Sequence, residues 1–157
     1  LEGLSYAILR YANVYGPGQR PDGEAGAVAI FAGLMLRGEK PTIFGAGDKT
    51  RDYVYVGDVV RANLLAFDGA DGQVYNVGTG IQTTDQEVFD AVAEAAGYQG
   101  EPLYADERKG EVRHISLDPT RIMNDLNWRP SMKFREGVHK TVAHLRQKLI
   151  DTGEMSQ

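Results

Sequence analysis

The chain has 157 residues, the length of one domain or of part of a larger protein. With 42% hydrophobic residues, 25% charged residues and 19 glycines, it has the composition of an ordinary globular protein, which excludes disorder, collagen and coiled coil. A formal net charge of −5 without any basic block argues against a broad nucleic-acid surface. The absence of cysteine removes disulfides, thiol nucleophiles and cysteinyl metal sites, and suits a reducing, cytoplasmic setting.

In chain order, residues Ala7 to Tyr15 read as one strand, ended by Gly16-Pro17-Gly18. The apolar run Ala25 to Leu36 is too short to span a bilayer and reads as a buried helix stopped at Gly38. Thr42-Ile43-Phe44 is a short strand before the turn at Gly45-Ala46-Gly47. Tyr53-Val54-Tyr55-Val56 is another strand, in which Tyr53 and Tyr55 are expected to divide, one to a pocket and one to packing. Asp58 is the expected N-cap of a helix reaching Phe67, with Val60, Leu64 and Phe67 on one face. Val74 to Val77 is a strand closed by Gly78. Thr84 with Glu87 spells a capping box for a helix ending at Gly97. Asp118-Pro119 is expected to cap a helix to about Leu126, with Pro119 at its first position. Phe134, Val138, Val142, Leu145 and Leu149 mark an amphipathic last helix. Strands alternating with helices make an α/β chain.

Most catalytic signatures are missing. His139 and His144 are five apart on one helix, which does not put them on one face as a metal pair requires. There is no G-x-S-x-G elbow and no Walker loop. Gly45-Ala46-Gly47 and Gly78-Thr79-Gly80 lack the third glycine of a dinucleotide fingerprint and read as tight turns. Arg51, at a loop-to-strand junction, and Arg108, in a charged loop, could each present a planar fork to a phosphate, although an arginine taken singly is more often a solvated charge or a surface ion pair.

The string Leu9-Arg10-Tyr11-Ala12-Asn13-Val14-Tyr15-Gly16-Pro17 resembles a signature of the extended short-chain dehydrogenase/reductase family of NAD-dependent epimerases and dehydratases. Four further pieces follow in that family's order: Ile43-Phe44-Gly45 with Gly47; Arg51 to Val56 with Asp58; Tyr75-Asn76-Val77-Gly78 with Gly80 and Thr84; and Leu126-Asn127-Trp128 with Pro130. The loop from Gly23 to Phe31 looks most like the bacterial UDP-glucose 4-epimerase branch.

The resemblance implies the C-terminal, substrate-binding part of an extended Rossmann-type enzyme, spanning residues 1–157, whose strands complete the edge of an NAD-binding sheet. None of the 8 tyrosines has Lys four residues later, so the family's catalytic Tyr-x-x-x-Lys pair, like the NAD fingerprint, is expected in an N-terminal half preceding Leu1. The chain alone is therefore expected to be inactive, and the complete enzyme to be a cytoplasmic homodimer acting on a UDP-sugar. By motif, Asn13 is carried over as a contact near the phosphates and Tyr11 and Ala12 as neighbours of the nicotinamide. Thr42 and Phe44 correspond to residues that hold and stack on uracil, Arg51 and Arg108 to the diphosphate arginines, and Tyr53 to the strand lining the same pocket. Glu111 stands where relatives usually have Asp as a ribose acceptor; Gly18 replaces the arginine of Tyr-Gly-Pro-Arg. Another nucleotide-sugar epimerase, a dehydratase and a non-catalytic binding module are the alternatives.

Overall fold

The computed structural model describes residues 3–23 and 26–155. The strands are β1 (Ala7–Tyr11), β2 (Asn13–Tyr15), β3 (Thr42–Phe44), β4 (Thr50–Arg51), β5 (Tyr53–Tyr55), β6 (Gln73–Val77), β7 (Thr83–Thr84) and β8 (Leu103–Ala105). The helices are α1 (Ala27–Leu36), α2 (Val56–Gly69), α3 (Asp85–Ala96), α4 (Thr120–Asp125) and α5 (Phe134–Asp151). Ala25, the expected start of the apolar helix, lies outside the described residues.

The stretch expected to be one strand forks. β1 pairs in parallel with β6, Leu9 opposite Tyr75, whereas β2 pairs in parallel with β5, Val14 opposite Val54. The changeover falls between Ala12, whose N–H donates to Val77 O, and Asn13, whose N–H donates to Asp52 O. The chain thus passes from one ladder to the next without leaving a backbone donor unpaired. β3 and β8 form a third parallel pair, and β4 and β7 an antiparallel one.

Strand β5 separates two cores. Val54 is fully buried with Val59, Ala62, Tyr75, Val77, Ile122 and Trp128, under α2 and α4. Tyr53 joins Tyr15, Phe31, Phe89, Val138 and Val142, where α1, α3 and α5 meet. That division follows the two-residue period of a strand. By the same rule Tyr53 and Tyr55 start from one face of the strand, yet they divide as expected in what they meet, Tyr53 lining a cavity and Tyr55 packing against the core. Both rings meet Tyr15 edge-on, at centroid distances of 6.2 and 5.8 Å.

Several helix boundaries moved for identifiable reasons. Helix α2 begins at Val56, and Asp58 lies within its first turn rather than at the N-cap. Its buried carboxylate accepts from Ser131 N–H, Met132 N–H and the Ser131 hydroxyl, tying α2 to the segment before α5. The buried face of α2 is Val59, Ala62 and Ala66, and Val60, Leu64 and Phe67 face outward. The capping box at Thr84 is present in full, and Gly97 closes α3 in the left-handed conformation. Helix α4 starts at Thr120, one residue after Pro119, with Asp118 Oδ1 accepting from Thr120 N–H at 2.9 Å. Along α5, Val138, Val142, Leu145 and Leu149 are buried as their spacing requires. Among the described residues no helix is long and apolar enough to cross a membrane.

Candidate functional site

A cavity of about 290 Å³ opens where β2, β3, β5 and the loop after β8 converge. Asn13, Thr42, Phe44, Arg51, Tyr53, Arg108 and Glu111 all line it, although they come from four separate stretches of sequence. Fold rather than sequence proximity assembles them. Thr42 and Phe44 share one face of β3, and β3 is held against β8 with Ile43 opposite Tyr104. The loop leaving β8 then carries Arg108 and Glu111 back over the cavity. Arg113 fastens that loop, donating to Asp48 at 2.7 Å and to both oxygens of Glu107 at 3.1 Å.

Tyr11 and Ala12 are not brought to this cavity. The Tyr11 hydroxyl donates to Asn63 Oδ1 at 2.8 Å and belongs to a cleft between β1 and α2. Ala12 packs against Gly78.

Lys49 was missed by the sequence reading. It lines the same cavity and is 3% exposed. The signal was present: Lys49, Arg51 and Tyr53 are spaced by two along an extended run, so they look to one side. The residues between them look to the other. Thr50 bonds Gln82 and His114, and Asp52 is wholly buried beneath the turn at residues 78–80.

Electrostatically the cavity is a cluster of three cations and two carboxylates. Glu111 bridges two of the cations, with Oε2 at 2.5 Å from Lys49 Nζ and Oε1 at 3.3 Å from Arg51 Nη2. The Lys49 hydrogen bond is the main influence holding the Glu111 carboxyl below its usual range. Asp85, 3.8 Å from Lys49, is shifted the other way: burial raises it, against the opposing pull of Lys49 and Arg51. Arg51 is itself oriented by the Thr50 carbonyl, which accepts from its Nη1 at 2.8 Å. The Arg108 guanidinium lies over the Phe44 ring, 4.1 Å from the centroid. Burial also lifts the Tyr53 hydroxyl well above the usual phenol range, so it stays protonated across the physiological range.

Such an arrangement suits an anion joined to a flat ring. Guanidinium and ammonium groups provide charge-assisted donors to phosphate oxygens, while Phe44 offers an aromatic face nearby.

The comparisons with known proteins point the same way. Residues 1–78 match the model of the NAD dependent epimerase/dehydratase family. The chain is 48% identical over 149 residues to the UDP-glucose 4-epimerase of Mycolicibacterium smegmatis, covering 94% of this chain and 48% of that protein. A crystal structure of UDP-glucose 4-epimerase from Thermotoga maritima, with UDP-glucose, superposes with a TM-score of 0.91 at 53% identity, over 94% of this chain and 48% of that one. The Thermus thermophilus UDP-glucose 4-epimerase in complex with NAD superposes with a TM-score of 0.83 at 46% identity, over 92% and 47%. The chain spans about half the length of the curated relatives it matches, 46% of one and 48% of another. With its motifs in family order and its fold reproducing that of such enzymes, the chain belongs to the NAD dependent epimerase/dehydratase family.

Proposed function

We propose that these 157 residues form the nucleotide-sugar-binding part of an NAD-dependent UDP-glucose/UDP-galactose 4-epimerase. The observation that carries this reading is the convergence of Asn13, Thr42, Phe44, Arg51, Tyr53, Arg108 and Glu111 on one cavity. Arg51 and Arg108 grip the diphosphate, and Phe44 stacks on the uracil beside Thr42. In this reading the base takes the place of the Arg108 guanidinium on Phe44, which frees that guanidinium for phosphate. Glu111 accepts from ribose hydroxyls. Binding energy gathered at the nucleotide, remote from the reacting carbon, would hold the substrate while leaving its sugar free to turn.

In this reading the described residues do not make an NAD site by themselves. In the turn at 78–80, the nearest counterpart of a phosphate-binding glycine loop, the Thr79 and Gly80 N–H groups are already bonded to Asp52. Gly45 N–H, in the other glycine turn, donates to Ala105 O. NAD in the working enzyme would therefore be held by residues other than these, together with the Tyr-x-x-x-Lys pair. The chain alone would bind substrate without turning it over.

Titration with UDP tests the binding role. Arg51→Ala and Arg108→Ala are each expected to weaken UDP binding about tenfold or more, the cost of one charged hydrogen-bonding partner. Unchanged affinity in both variants rejects the assignment. Turnover of UDP-galactose by the 157-residue chain with added NAD rejects the division of labour.

A further inference from the structure

Lys49 is anchored by backbone bonds to two other segments, whereas the Glu111 N–H bonds only within its own loop, to Arg108 O at 3.4 Å. The Lys49 carbonyl accepts from Asp85 N–H at 3.0 Å, and the next residue, Thr50, donates to Arg113 O at 2.8 Å. Glu111 sits in the loop after β8, with 29% of its side chain exposed against 4% for Lys49. A buried ammonium needs a close counter-charge, and Asp85 at 3.8 Å is distant for that purpose. Glu111 is the close one.

One carboxylate spanning two cations through its two oxygens has the geometry of a phosphate group held by a lysine and an arginine. Net charge supports the comparison. With Glu111 in place, Lys49, Arg51 and Arg108 face two carboxylates, a surplus of one positive charge. When Glu111 withdraws, the surplus becomes two, the amount that neutralises a sugar-linked diphosphate.

We propose that Lys49 is a third cation of the diphosphate site and that Glu111 occupies that site as an internal plug until a nucleoside diphosphate displaces it. The displaced carboxylate is then free for the ribose hydroxyls, so one loop side chain exchanges partners as the ligand enters. This rests on the nucleotide-sugar reading above and adds to it an affinity-determining residue and a competition for its charge.

The test compares UDP with uridine, which shares base and ribose but lacks phosphate, in the protein as it is encoded. The ratio of their dissociation constants isolates the diphosphate contribution. Lys49→Gln is expected to lower that preference for UDP about tenfold with uridine affinity little changed. Glu111→Gln is expected to tighten the binding of inorganic pyrophosphate severalfold, because that ligand competes with the plug but has no ribose contact to lose. If Lys49→Gln does not fold, Glu111→Gln decides alone. A wild-type protein that prefers UDP, with a pyrophosphate affinity unmoved or lowered by Glu111→Gln, overturns the plug. An unmoved preference in folded Lys49→Gln overturns the third cation. A wild-type protein that shows no preference for UDP over uridine overturns the nucleotide-sugar reading itself.

Discussion

The Asp52 carboxylate lies so close to Gly78 that a Cβ added to the glycine would stand 2.5 Å from Asp52 Oδ2. The same carboxylate accepts from Thr79 N–H at 2.9 Å, Gly80 N–H at 3.0 Å and Leu117 N–H at 3.2 Å, and from the Thr79 hydroxyl at 2.6 Å. One buried side chain therefore joins the start of β5, the turn after β6 and the end of the loop that carries Arg108 and Glu111.

Removing either partner should loosen all three segments. Asp52→Ala leaves several buried donors without an acceptor, at about 1–3 kcal/mol for each unsatisfied group, so a loss of roughly 3 kcal/mol or more is expected. Gly78→Ala drives a methyl group into the carboxylate and should cost about 1–3 kcal/mol, as overpacking does. Urea unfolding midpoints check both. A Gly78→Ala protein as stable as wild type contradicts the close approach.

What the sequence made legible was whatever one local rule decides. Thr84 with Glu87 announces a capping box because both groups lie within one turn of helix. The spacing in α5 gives its buried face for the same reason. Asp58 misled because an acidic residue before an apolar run looks like a cap; besides Arg61 on the same helix, its partners Ser131 and Met132 are more than seventy residues away. The fork at Ala12 was hidden because the apolar and aromatic pattern runs on unbroken while the pairing partner changes. For the site, family motifs supplied Arg51, Arg108 and Glu111, but the ion pair between Lys49 and Glu111 spans sixty-two residues and emerges only when the loop folds back.

The cavity charges make stability depend on pH in two opposing ways. Lys49 holds Glu111 below the usual carboxylate range, so the folded protein releases that proton more readily than the unfolded chain. This contribution is complete above the ordinary Glu value and is lost as pH falls through the lowered one. Asp85, raised by burial, works in reverse. Its ionisation disfavours the fold above the raised value, and the penalty is relieved as pH falls from that value towards the ordinary Asp range. Glu111→Gln should therefore flatten the acid-side loss of stability while keeping the Asp85 component. Urea midpoints measured through the carboxylate range compare the two proteins, and parallel profiles would falsify the Lys49–Glu111 coupling.

The outward face of α2 yields the last prediction. Phe67 is 90% exposed and Leu64 63%, while Ala62 on the opposite face is fully buried. Tyr6 and Tyr11 are exposed beside that helix, and among the described residues β1 pairs with β6 alone, which leaves its other edge free. An apolar face next to an open strand edge favours association. Phe67→Ser and Leu64→Ser should change the stability of the chain by no more than about 0.5 kcal/mol, as surface substitutions do. They should lower its self-association in light scattering and its binding of an apolar dye. Ala62→Leu, by contrast, should overpack the core against Val54 and Tyr75 and cost about 1–3 kcal/mol. If Phe67→Ser is as destabilising as Ala62→Leu, the face seen by solvent in this structure is a core face of the chain.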